Sequence, residues 1–221
     1  MMVDWTKIDT VLLDMDGTLL DLSFDNHFWL TYVPYCFACN NDMDIETARN
    51  HVFPIYRSAE GTLNWYCVDY WSRILSLDIV ALKNRVSHNI RVRPNAIEFL
   101  LALRNRGLDV RLVTNAHQKT LKIKMQESAL SRHFDEVISA HSLGAPKEDL
   151  RFWTELEDRY PFDRNRTLFI DDSLPVLRTA RGFGIASLLG VYQPDSRRPG
   201  GDTGEFEALR CFTDIMPFDG D

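Results

Sequence analysis

At four places in this 221-residue sequence, charged or hydroxyl side chains directly follow a short apolar run. The first is "VLLDMDGTLLDL", from Val11 to Leu22. Asp14 and Asp16 would share a face if the strand Thr10–Leu13 continued, because alternate residues of a strand point the same way. Gly17 ends it, so two carboxylates are delivered to a strand's carboxyl end. Two unpaired anions that close repel, and a cation or a proton must lie between them. Further on, "RLVTN" ends at Thr114 and Asn115, Lys147 follows the loop "HSLGAP", and "LFIDD" ends at Asp171 and Asp172. Carboxylates are the ligands of a hard divalent cation, and a fixed lysine can neutralise an anionic group in transfer. Singly, each cluster has a plainer explanation: a turn, a solvated lysine, a packed threonine, or Asp171 as a helix N-cap. Their ordered recurrence at four strand ends does not share one.

The elements that must position these groups are legible from Pro94 onward. "PNAIEFLLALRNRG" has proline near its start, an apolar stripe, basic residues in its last turn and a closing glycine, which predicts a helix. "DVRLVTN", "FDEVISA", "TLFIDD" and "IASLLGV" read as strands. They alternate with "KTLKIKMQESAL", "KEDLRFWTELEDRY" and "LPVLRTARGFG" as helices, the second of which Lys147 would open. Such alternation predicts βαβ units, a mainly parallel sheet and right-handed crossovers that cover both faces with helices. Ligands of open parallel sheets bind beyond the carboxyl ends of the strands, so the four clusters should converge on one crevice. Between Leu22 and Arg93 the pattern changes to aromatic-rich helical segments without a convincing strand. The first β-unit is therefore interrupted by a helical insertion, residues 22–93, within a core formed by residues 1–21 and 94–221.

Composition narrows the class. A net charge of −7 opposes general nucleic-acid affinity, which depends on neutralising phosphates. No apolar window is long enough to span a membrane, and "MMVDWTKIDT" lacks the order of a secretory signal. Four cysteines do not make a disulfide framework, so a reducing cytoplasmic setting is expected. "CFAC" (Cys36 to Cys39) lacks a second paired spacing and reads as packing, as do Cys67 and Cys211.

With these motifs in order, Asp14-Met15-Asp16-Gly17-Thr18, Thr114, Lys147 and Asp171-Asp172, the sequence strongly resembles the haloacid dehalogenase (HAD) superfamily of phosphotransferases. The resemblance covers nearly the whole chain, including a type-1 helical cap after the first motif. Within the superfamily, "LLDMDGTLLDL", "TLNWYCVDYW", "LVTNAH" and "RTLFIDDS" are similar to the bacterial GMP/IMP 5′-nucleotidases. One departure is local: many relatives place proline directly after the motif lysine, whereas here Pro146 precedes it and Glu148 follows. The resemblance implies a Rossmann-like parallel-sheet core with an inserted α-helical cap, and a Mg²⁺-dependent phosphomonoester hydrolase. Asp14 would attack phosphorus to give an aspartyl-phosphate. Asp14, the backbone carbonyl of Asp16, Asp171 and Asp172 would hold Mg²⁺. The Asp16 side chain would protonate the leaving oxygen and later take a proton from water. Thr114 and backbone amides near Gly17 and Asn115 would bind phosphoryl oxygens, and Lys147 would supply the fixed charge.

Other readings compete with this one. Asp16 argues against a dehalogenase, which needs no leaving-group acid. A phosphonatase would need a cap lysine, and Lys83 is the only lysine between Leu22 and Arg93, in an ordinary charged segment. A sugar-phosphate phosphatase or mutase uses the same acid pair, and a non-catalytic phosphate-binding module is the alternative of another class. The expected partner is a small phosphomonoester, a purine mononucleotide, rather than a nucleic acid or a membrane.

The insertion holds twelve of the chain's twenty-five aromatic residues, most of which must form its own core. In "TLNWYCVDYW" and its continuation, Leu63, Tyr66, Tyr70, Ile74 and Leu77 follow helical spacing and are expected to be the packing stripe. Asn64 and Trp65 fall off that stripe, which leaves them either on the exposed surface or facing the crevice; in the second case Trp65 would stack on a base and Asn64 would read its edge. The tail after Tyr192 reads as a loop followed by a short segment, "FEALRCFTDIMPF", whose packing sequence leaves open.

Overall fold

The computed structural model describes residues 3–217; Met1, Met2 and residues 218–221 of the expected core lie outside the described residues. Strand β1 (Thr10–Leu13) is buried along its whole length, as four apolar or β-branched residues in a central parallel strand should be. It is flanked by β2 (Asp109–Thr114) and β4 (Thr167–Asp171), with β3 (Glu136–Ser139) outside β2. Strands β5 (Ser187–Val191) and β6 (Glu207–Leu209) extend the other side, giving the order β3-β2-β1-β4-β5-β6 with every pairing parallel. Leu13 is in register with Leu112 on one side and Ile170 on the other. The chain therefore leaves the sheet at Asp14, Thr114 and Asp171 side by side.

Side-chain alternation divides the apolar residues between the two faces. Val11, Leu13, Leu168 and Ile170 point into one core with Phe99, Leu100 and Leu103 of α7 (Ala96–Asn105) and Leu121 of α8 (Gln118–Ser128). Leu12 and Phe169 point into the other, formed with α9 (Ala140–Leu143), α10 (Leu150–Arg159) and α11 (Leu174–Phe183). Helices thus cover both faces, as the alternating pattern predicts.

The chain leaves this core after Leu20 and returns at Val92, where the two passes lie antiparallel. Asp21 N donates to Arg91 O at 2.9 Å and Arg93 N to Leu19 O at 2.9 Å. Between them run α1 (Ser23–His27), a π-type turn over Phe28–Tyr32, α2 (Val33–Asn40), α3 (Ile45–Ala59), α4 (Leu63–Tyr66), α5 (Val68–Leu75) and α6 (Ile79–Val86). Phe28, Val52, Tyr56, Trp71 and Leu75 form a separate apolar cluster there.

Several expectations need correction. Residues 63–77 are not one helix: Cys67 is extended, with φ −88° and ψ 106°, and it resets the helical phase. The buried face of α5 is consequently Val68, Trp71 and Leu75, while Ile74 of the expected stripe is exposed. Lys147 does not open α10, because the side chain of Asp149 caps it by accepting from Arg151 N. Cys36 packs against the insertion's core but Cys39 is exposed. The undecided tail packs inward. Its first residues form β6, and Phe212 stacks on Phe99 with ring centroids 4.8 Å apart; Phe218 lies outside the described residues.

Candidate active site

A cavity of about 330 Å³ opens where the strand ends meet the insertion. Asp14, Asp16, Thr114, Asn115, Lys147, Asp171 and Asp172 all line it. The turn after β1 that delivers the first two requires glycine: Gly17 has φ +91°, and a Cβ there would lie 2.4 Å from Asp172 Oδ2. The backbone of the first motif thus passes directly against the last.

Lys147 stands at the centre of the carboxylates. Its Nζ donates to Asp14 Oδ1 at 2.5 Å, Asp171 Oδ2 at 2.7 Å and Val113 O at 3.2 Å. Burial alone would lower its pKa, but Asp14 and Asp171 outweigh it and hold the ammonium charged. Asp171 is fully engaged, since its other oxygen accepts from Ser173 N at 2.8 Å. Asp14 is not: its Oδ2 is buried and has no hydrogen-bond partner. Burial pushes the Asp14 carboxyl up to about 6 despite Lys147. Asp172 is also raised well above the usual carboxylate value, first by burial and then by the charges of Asp171 and Asp14. Among these residues the anionic charge exceeds the cationic, and an orphaned carboxylate oxygen faces that excess. A hard divalent cation fits this donor set, with Asp14 Oδ2 and Asp172 as the carboxylates free to bind it.

Asp16 belongs to a second network that extends into the insertion. Lys124, buried on α8, donates from Nζ to Asp16 Oδ1 and to Asp25 Oδ2, each at 2.5 Å. Asp25 Oδ1 accepts from Lys83 Nζ at 2.8 Å. Burial raises the Asp16 carboxyl to about 6, with Lys124 opposing and Asp25 and Asp14 adding to the rise. Lys83, expected on an ordinary charged face, is instead 2% exposed and lies 4.3 Å from the centre of the Phe28 ring. Its ammonium lines the cavity and is held by Asp25, which opposes the lowering of its pKa by burial.

The phosphate-side residues are linked in turn. Thr114 Oγ1 accepts from Ala116 N at 3.1 Å, and Asn115 Oδ1 accepts from Lys147 N at 2.9 Å. Asn115 Nδ2 donates to Glu148 Oε2 at 2.9 Å, and Tyr66 OH donates to Glu148 Oε1 at 2.6 Å. Glu148 therefore ties the insertion to the motif loop. Trp65 lines the cavity with Trp29, Tyr56 and Trp71, and packs edge-on against Tyr56. Asn64 does not join them: it is exposed and lies outside the cavity, because α4 ends two residues later and turns that face to solvent.

Sequence reasoning missed Asp25, Lys83, Lys124 and Glu148 as site residues. Only Lys124 carried a signal, being a charged position on the face of α8 that also carries Leu121 and Thr120.

The haloacid dehalogenase-like hydrolase family matches residues 8–184 of the chain. The chain is 44% identical over 194 residues to the GMP/IMP nucleotidase YrfG of Escherichia coli K12, covering 88% of this chain and 87% of that protein. The crystal structure of a HAD phosphatase from Thermococcus onnurineus is similar with a TM-score of 0.79 at 20% identity, covering 94% of this chain and 96% of that one. An L-2-haloacid dehalogenase from Xanthobacter autotrophicus with covalently bound chloropropionic acid is similar with a TM-score of 0.60 at 14% identity, covering 94% and 96%. These two likenesses concern the fold, which supports more than one chemistry.

Proposed function

This chain belongs to the haloacid dehalogenase-like hydrolases, and on that premise we propose that it is a Mg²⁺-dependent phosphomonoester hydrolase acting on purine nucleoside 5′-monophosphates. The observation that carries the reading is Asp14: a strand-end carboxylate with one oxygen on Lys147 and the other buried without a partner. Asp14 attacks phosphorus, forming an aspartyl-phosphate as the P–O bond to the nucleoside breaks. Asp14, Asp172 and the carbonyl of Asp16 would hold Mg²⁺, which would offset the repulsion between the phosphate dianion and the attacking carboxylate. Lys147 keeps Asp14 oriented and remains charged beside the transferring group. Asp16, with a pKa raised to about 6, can give a proton to the departing oxygen and accept one from the water that hydrolyses the acyl phosphate. Asp171 fixes Lys147 rather than facing the cavity with a free oxygen.

For the substrate class, the support is an aromatic wall opposite the carboxylates and the 44% identity to a GMP/IMP nucleotidase. Residues 22–93 act in this reading as a cap that supplies that wall. Presence of the Asp16 acid separates the reading from dehalogenase chemistry, in which the leaving halide needs no proton. The test is inorganic phosphate release from GMP, IMP, AMP, glucose 6-phosphate and p-nitrophenyl phosphate, with Mg²⁺ and with EDTA. GMP and IMP should be turned over most efficiently, and EDTA should abolish release. A preference for hexose phosphates would leave the phosphatase and remove the nucleotidase.

A further inference from the structure

At the seam between the insertion and the core, outside the carboxylate cavity, three ligand-type side chains from distant parts of the chain meet. Cys67 lies between α4 and α5, His117 directly precedes α8 after β2, and His141 lies in the first turn of α9 after β3. One ligand atom from each lies within 4.8 Å of the other two. We propose that Cys67, His117 and His141 form a binding site for a borderline-soft divalent metal ion, zinc by its chemistry, that clasps the insertion to the core.

One sulfur and two imidazole nitrogens suit zinc and are poorly suited to magnesium, so this site and the carboxylate cavity select different ions. The bond lengths of a tetrahedral zinc site place its donor atoms roughly 3.3–3.6 Å apart, so side-chain rotations need close the triad only by about 1 Å. The three groups carry marks of a ligand set rather than of packing. His141 Nε2 is buried and has no hydrogen-bond partner, which is costly for an imidazole that nothing will occupy. The two rings meet edge to face with centroids 4.8 Å apart. Burial, with His117 beside it, lowers the His141 pKa to about 4, and burial lowers that of His117. Cys67 Sγ accepts from Tyr70 N at 3.4 Å, so the sulfur already faces the N-terminus of α5, where negative charge is favoured. His117 Nδ1 accepts a long 3.3 Å bond from Lys119 N, the one local interaction that ligation through that atom would displace. Three protein donors leave the fourth position to water.

The consequence follows from placement. The residues beside Cys67 make the neighbouring seam contacts, Tyr66 with Glu148 and Asp69 with Lys119. A metal shared by Cys67 and the two histidines adds a third and much stronger tie, holding the cavity closed.

Cobalt(II) is the probe, because a thiolate ligand produces a sulfur-to-cobalt charge-transfer band that carboxylates cannot. The reduced full-length protein, with Mg²⁺ in excess, is titrated with Co²⁺ and then with Zn²⁺. The wild type should show that band with the visible absorption of a tetrahedral ion, saturating near one equivalent and lost on adding Zn²⁺. Cys67→Ser should lose the charge-transfer band, and His141→Ala should weaken Co²⁺ binding by about 10-fold or more. Asp172→Asn should keep the band, since the carboxylate cavity contains no sulfur. Absence of the band in wild type overturns the site, as does its persistence in Cys67→Ser, which would assign it to another cysteine. A second readout rests on the phosphatase reading: Zn²⁺ at one equivalent should slow phosphate release by wild type and not by Cys67→Ser. Equal slowing of both overturns the clasp. The cobalt spectrum needs no turnover, so it decides the site even if phosphate release fails.

Discussion

The sheet side of the cavity is a crowd of charges, with Asp14, Asp171 and Asp172 around Lys147 and Asp16 beside Lys124. The insertion side is a wall of rings, with Trp29, Tyr56, Trp65 and Trp71 packed edge to face. The first surface is held by the register of three adjacent parallel strands, so its groups stay in place although they repel. The second is held by side-chain packing within a separate apolar cluster, and it meets the core through polar ties and through Leu63, Val80 and Val86, which pack on the core's apolar clusters. Chemistry that needs fixed charges sits where the backbone is rigid, and shape recognition sits where packing can be varied without moving the charges. If that division is real, changes on the sheet side should alter rate for every substrate. Changes on the insertion side should alter only which substrate is used.

The largest effect is expected from Asp14→Asn. The amide keeps the shape and relieves a raised carboxyl, so the fold should survive while turnover falls by roughly 10³-fold or more for nucleotides and p-nitrophenyl phosphate alike. Thermal unfolding measured beside phosphate release separates the two quantities. Substantial activity in a well-folded Asn variant would sink the nucleophile assignment.

Asp16→Asn should cost less, and unevenly. The carbonyl of residue 16 is kept and only the proton donor is lost, a change worth roughly 10²–10⁴-fold where the leaving group needs protonation. p-Nitrophenolate departs without much help, so its kcat should fall far less than that for GMP. Equal losses on the two substrates would remove Asp16 from proton transfer and leave it a partner of Lys124.

That these carboxylates could be read from sequence, and their partners could not, has a physical cause. Asp14 follows, and Thr114 and Asp171 end, short buried strands that a chain-local pattern reveals, and strand ends in a parallel sheet converge by topology. Lys124, Asp25 and Lys83 sit on three different helices that only the fold brings together, and the sole local hint is the apolar face Lys124 shares with Leu121. The insertion misled for another reason. A single extended residue, Cys67, breaks the helical phase, so extrapolating one period through 63–77 assigned Ile74 to the core and left Trp71 out. The short edge strand β6 has three residues and depends on β5 for its existence.

Asp172→Asn tests the crowding itself, through stability. The folded pKa of Asp172 is raised well above the usual value, by burial and then by Asp171 and Asp14. A carboxyl raised on folding binds protons more readily in the folded state, so its contribution worsens as pH rises and is relieved as pH falls through the folded value. Without metal at pH 8, Asp172→Asn should therefore melt higher than wild type, by roughly 2–4 °C for each 1 kcal/mol relieved in a chain of this size. The gap should narrow toward pH 5. Mg²⁺ should raise the melting temperature of wild type and leave the variant nearly unchanged. A metal-free variant less stable than wild type at pH 8 would mean that the carboxylates are not in conflict.

The smallest effect, and the one that bears most directly on the insertion, is expected from Trp65→Ala. Trp65 is half-buried on the cavity wall and meets Tyr56 edge to face at a centroid distance of 6.4 Å. An aromatic platform of this kind contributes roughly 1–3 kcal/mol per stacked base. Removing it should raise KM for GMP and IMP by about 5-fold or more, with kcat little changed, because no strand-end group moves. p-Nitrophenyl phosphate has no purine to stack, and its KM should stay near the wild-type value. A variant that impairs both substrates equally, or that loses substantial melting temperature, would make Trp65 part of the insertion's core. In that case the base must be read by another ring of the wall, and Trp29 and Tyr56 are the next to replace.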